Sequence, residues 1–94
     1  MKEKIRIFVV DDSKKVVNEV NKYFKSHAEI ELVGIASDGN EALEVLRREH
    51  NNIDVLVMDL IIPKMDGLSV LEALHKEGIM MKSIITTSIN SLEV

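Results

Sequence analysis

Four short runs rich in β-branched residues recur along the chain, at residues 5–10, 30–36, 55–58 and 83–87, and a stretch of helical apolar spacing separates each from the next. Apolar strands that alternate with amphipathic helices have few ways to bury both kinds of face. The strands lie parallel in one sheet, and right-handed crossovers carry the helices onto its faces. The first helix follows Ser13, a capping residue, with Val16, Val17, Val20 and Phe24 on its apolar side and Lys14, Lys15, Asn18, Glu19 and Lys22 on the wet side. Asp38 and Glu41 form a capping-box pattern ahead of Ala42, Leu43, Val45 and Leu46. Leu68, Val70, Leu71 and Leu74 mark a third helix, and Gly78 closes it. The expected fold class is therefore α/β, a doubly wound parallel sheet, and 94 residues allow one domain, spanning 1–94.

In such a sheet, chemistry collects outside the carboxyl ends of the strands. Asp11 and Asp12 follow the first apolar run, Asp59 the third, and Thr87 ends the fourth. Adjacent like charges at the end of a buried strand repel by about 1 kcal/mol in water and several-fold more where partly buried. A hard divalent cation answers that repulsion, and Mg²⁺ takes oxygen ligands from one or two carboxylates while keeping waters. The same ion neutralises an incoming phosphoryl group, so Asp59 is the candidate nucleophile, with Thr87 as a hydroxyl for a phosphoryl oxygen. Against this stands a plainer reading in which the acids cap helices or sit in turns. Asp38 and Asp66 are read that way. His27, His50 and His75 are read as solvated, and Met65, Met80 and Met81 as packing.

Other classes recede on composition. A net charge of −4 argues against nucleic-acid or anionic-membrane binding by this segment. The absence of cysteine removes thiolate chemistry and fits a cytoplasmic location. The apolar stretch at 5–10 is too short for a signal peptide or a membrane span.

The runs "FVVDDS" at 8–13, "VLVMDLIIPKMDG" at 55–67 and "IITTS" at 84–88 resemble the receiver domain of bacterial two-component response regulators. Asp59 with Pro63 four residues on and Gly67 eight on, downstream of an acidic pair, carries the likeness. The resemblance implies a flavodoxin-like, CheY-like receiver fold in strand order 2-1-3-4-5, with Asp59 as phosphoacceptor. It implies a Mg²⁺ site at Asp11, Asp12, Asp59 and the Ile61 backbone carbonyl, and a switch hydroxyl at Thr87 beside Ser88. A sensor histidine kinase or phosphotransferase is the implied partner. "VGIASDGNEAL" and "DLIIPKMDGLSVLEAL" look closest to regulators of the sporulation-control type. A complete receiver also has a final helix-strand-helix part with a lysine on its fifth strand. No lysine here lies after the fourth strand, so the expectation is a C-terminally incomplete domain with no catalytic lysine. An uncovered fourth strand would then invite a homodimer or swapped oligomer.

Two other functions compete. One is a phosphorylation-independent interaction module. The other is an aspartate-based phosphohydrolase, which resembles Asp-x-Asp after its first strand, whereas the acids here are adjacent. A flavin or nucleotide binder is disfavoured, because no Gly-rich loop follows the first strand.

Overall fold

The computed structural model describes residues 4–86. Its strands are β1 (Ile5–Val10), β2 (Ile30–Ala36), β3 (Val55–Asp59) and β4 (Lys82–Thr86), and its helices α1 (Lys14–Lys25), α2 (Gly39–Glu49) and α3 (Gly67–Lys76). The sheet order is β2-β1-β3-β4, every neighbouring pair parallel, which is the flavodoxin-like doubly wound arrangement. From β1 the chain steps outward to β2, then returns across β1 to β3 and on to β4. Right-handed crossovers in opposite directions put α1 on one face and α2 with α3 on the other.

The deeper core lies under α2 and α3. Phe8, Val10, Leu56 and Met58 from the sheet meet Leu43, Leu46, Val70 and Leu74 from the helices. Val9 is also buried, and strand alternation points it to the α1 face. No residue of α1 is buried, so that face is only partly covered among the described residues.

Helix ends follow the residues that specify them. Ser13 Oγ accepts from Val16 N at 3.3 Å, and Asp66 Oδ1 accepts from Ser69 N at 2.8 Å. Asp38 Oδ1 accepts from Glu41 N at 2.8 Å, but the Glu41 side chain reaches Ser37 N at 3.0 Å, one residue before the box expected. At the end of α3, Gly78 takes φ +76, its N–H donates to His75 O, and Ile79 N donates to Leu74 O. That pair of hydrogen bonds across a left-handed glycine is the Schellman stop.

Some expectations shift. β3 extends one residue further to include Asp59, and β4 begins one residue earlier than expected, at Lys82, while the expected end at Thr87 lies outside the described residues. A 3₁₀ turn at His50–Asn52 follows α2. Leu68 is exposed, because it sits two residues before Val70 and so about 200° around the helix from it. Met80, two residues beyond Gly78, is 79% exposed and lies outside the core, whereas Met65 and Met81 back it. His27 and His50 are not simply solvated: His27 stacks on Tyr23 with ring centroids 4.0 Å apart, and His50 Nδ1 lies 3.1 Å from Leu46 O. β2 carries a bulge, since Ile7 pairs with Leu32 while Phe8 pairs with Gly34, leaving Val33 extra and exposed. At the sheet's amino end, Arg6 grips both Asp54 oxygens, and Arg47 does the same to Glu77 across α2 and α3.

Candidate functional site

The parallel pairing of β1 with β3 matches Val10 to Met58, so Asp11 and Asp59 leave adjacent strands at the same edge. This is where the chain reverses its direction through the sheet. Asp11 extends the β1 ladder by donating its N–H to Ala36 O at 3.0 Å, which fixes where its side chain begins. Asp12, next along, is exposed, while Asp11 and Asp59 are buried. One oxygen from each of the three carboxylates lies within 4.8 Å of the others. Among the described residues, no lysine or arginine pairs with any of them.

Local backbone groups hold two of the three in place. Asp11 Oδ1 accepts from Ser13 N at 2.9 Å, and Asp59 Oδ1 accepts from Ile61 N at 3.0 Å. Among the described residues no buried side-chain oxygen lacks a partner, so Asp59 Oδ2, which takes no hydrogen bond from them, keeps contact with solvent. Burial pushes the Asp11 carboxyl above its ordinary value of 3.8. The Ser13 N–H pulls the other way, and the charges of Asp59 and Asp12 push it up again.

The loop after Asp59 turns sharply back to α3. Gly67 N donates to Leu60 O at 3.0 Å, and a Cβ on Gly67 would stand 2.9 Å from Asp59 O, so only a residue without a side chain fits there. Lys64 occupies the left-handed region with φ 72, which is uncommon for a residue bearing a side chain.

An all-oxygen donor set with two buried carboxylates, one exposed carboxylate and no ion pair to them among the described residues suits a hard divalent ion that retains water. The residues fit Mg²⁺. The sequence reading of Asp11, Asp12 and Asp59 as neighbours is what the structure brings together. Thr87 and Ser88 lie outside the described residues; Thr86, the last described residue, pairs with Asp59 in the sheet, and its carbonyl accepts from Leu60 N at 3.0 Å. The sequence reading gave Ile61 a role only through its carbonyl. Its N–H on Asp59 was missed, although an aspartate two residues before a free N–H is the pattern of an Asx-turn.

The family model for the response regulator receiver domain matches residues 7–94. A receiver domain from a Mycobacterium tuberculosis putative response regulator, NarL, is 27% identical, with a TM-score of 0.81 over 94% of this chain and 69% of its own. The Borrelia burgdorferi CheX–CheY complex gives 26% identity and a TM-score of 0.82, covering 96% and 68%. The receiver domain of Francisella response regulator 1452 gives 34% identity and 0.79, covering 96% and 71%. None of these three carries the sporulation-control assignment, which remains a likeness of sequence.

Proposed function

The chain belongs to the response regulator receiver domain family, and on that premise we propose that Asp59 is its phosphoacceptor, with Asp11, Asp12 and the Ile61 carbonyl holding Mg²⁺ beside it. The observation that carries this is the meeting of three carboxylates within 4.8 Å at the switch point of the sheet, with no cationic partner among the described residues. The Borrelia complex contains BeF3 and Mg²⁺ together with CheY, which supports the same ion here.

The Ile61 N–H holds Asp59 Oδ1 and leaves Oδ2 as the attacking atom. Oδ2 forms a bond to phosphorus as the donor's P–N bond, or the P–O bond of a small acyl phosphate, breaks, and the electron pair leaves with the imidazole or carboxylate. Bound Mg²⁺ supplies positive charge against the phosphoryl oxygens and the flanking carboxylates. Thr87 and Ser88 are the proposed switch hydroxyls.

The phosphoryl source is a sensor histidine kinase or phosphotransferase in the cytoplasm, and the domain is modified once per donor rather than turning substrate over. Among the described residues no helix is long and apolar enough to cross a membrane. The exposed Ile84 and Ile85 on β4, an edge strand of the described sheet, support a homodimer or swapped oligomer at that edge.

Intact mass spectrometry after acetyl phosphate treatment tests the reading. A single phosphoryl adduct that needs Mg²⁺ and disappears in Asp59→Asn is the expected result. A folded protein with no adduct, or an adduct that persists in Asp59→Asn, overturns it.

A further inference from the structure

The loop after Asp59 is held from outside the site as well as from within. Gly39, the buried first residue of α2, donates its N–H to Pro63 O at 3.2 Å. A Cβ on Gly39 would meet the Met65 carbonyl oxygen and stand 2.6 Å from its carbonyl carbon. Backbone, not a yielding side chain, fills the space that a side chain would need. Asp38, which caps α2 through Oδ1, places Oδ2 3.7 Å from Lys64 Nζ. Lys64 keeps φ 72, a conformation that persists where the surroundings over-determine it. Pro63, Lys64 and Met65 are thus each tied to the first turn of α2.

The geometry points to Gly39 as a positioning residue: by seating the backbone of residues 63–65 on the first turn of α2, it sets where Ile61 and the Asp59 carboxylate stand, and so how well the site takes a divalent cation. This rests on the metal site proposed above. Two contacts hold the loop from its own side, Ile61 N on Asp59 Oδ1 and Gly67 N on Leu60 O. A side chain at position 39 would need roughly another 1 Å of clearance from the Met65 carbonyl, and displacements of that size at a reacting centre are worth about 100-fold. Mg²⁺ is intolerant of such shifts, because it demands near-octahedral ligands at about 2.0–2.1 Å. The Lys64–Asp38 pair is too exposed on its lysine side to carry the effect, so the weight falls on the backbone contact.

The test follows backbone amide signals by NMR during titration with MgCl₂ for the wild type, Gly39→Ala and Gly34→Ala. Gly34→Ala is the control for general loosening, since a Cβ at this β2 position would stand 2.9 Å from the Phe8 ring of neighbouring β1, away from the loop. The wild type is expected to saturate with shifts at Asp12, Asp59 and Ile61. Folded Gly39→Ala binds at least about tenfold more weakly, and Gly34→Ala binds within about twofold of the wild type. Equal affinity in folded Gly39→Ala overturns the inference, and so does an equal loss in Gly34→Ala. Should Gly39→Ala not fold, hydrogen exchange in the wild type decides. Coupling is reciprocal, so saturating Mg²⁺ must slow exchange of the Gly39 amide more than that of Leu46, and equal slowing overturns the inference. Absence of any Mg²⁺-dependent shift at Asp59 and Ile61 in the wild type would instead bring down the metal site itself.

Discussion

Replacing Asp11 with asparagine removes one of three converging charges while preserving the oxygen that accepts from Ser13 N. The carboxylate oxygens lie within 4.8 Å of one another, and two unit charges at that outer limit repel by between about 1 and 3.5 kcal/mol as the effective dielectric falls from water's value to about 20. Asp11 is 9% exposed and faces Asp59, which is 1% exposed, so the interaction lies above the water limit. Part of the relief is lost in burying a carboxamide, and we expect metal-free Asp11→Asn to gain about 1–2 kcal/mol at neutral pH. For a domain of this size, each kcal/mol raises Tm by about 4–8 °C. The sign of the pH dependence follows from the raised carboxyl. Ionising Asp11 opposes folding, the penalty is absent below its ordinary value of 3.8, and it grows as pH rises through the higher folded value. The advantage of the variant should therefore vanish in acid. Saturating Mg²⁺ should reverse the ranking, because ligand at 100 times its Kd adds about 2.7 kcal/mol to the protein that binds it. Urea unfolding followed by far-UV circular dichroism, in chelator and in Mg²⁺ at several pH values, reads all of this. A variant no more stable than wild type in chelator, or one that gains as much from Mg²⁺, refutes the reasoning.

Three further outcomes are expected. Asp54 is held down to about 2 by the Arg6 guanidinium and N–H. Its contribution is complete above its ordinary 3.8 and lost as pH falls toward 2, so acid-unfolding curves of wild type and Asp54→Asn should differ at pH 5 and merge near the bottom of that window. Leu46→Ala, at a fully buried position in the α2 and α3 core, should lose about 2–5 kcal/mol in a urea melt while leaving Mg²⁺ shifts in its folded fraction unchanged. Asp66→Ala removes the cap on Ser69 N and should cost about 1 kcal/mol, measured in the same melt.

The alternation of strands and helices was legible because each element carries its own period, and the caps at Ser13, Asp38 and Asp66 mark where the period changes. The acid cluster was legible for a topological reason. Once three strands are parallel neighbours, residues at their carboxyl ends must meet, and Asp11 and Asp59 needed no long-range information beyond strand order. What the sequence did not show depends on close approach between segments remote along the chain. Nothing in the local pattern around Gly39 says that the Met65 carbonyl occupies its side-chain space, and nothing around Lys64 announces a left-handed backbone. Leu68 and Met80 misled because hydrophobicity says that a residue can be buried, while the angle around the helix and the turn decide whether it is.

The bulge at Val33 bears on how large an assembly this sheet could build. A sheet whose two outer strands both accept partners can propagate head to tail into a filament without limit. Here the two outer strands are unlike. β2 is kinked out of register between Leu32 and Gly34 and carries Glu31, which blunts it as a template, whereas β4 pairs in unbroken register from Lys82 to Thr86. With one outer strand of the described sheet in unbroken register and the other kinked, the association proposed above through the β4 edge would end at a pair instead of extending into a filament.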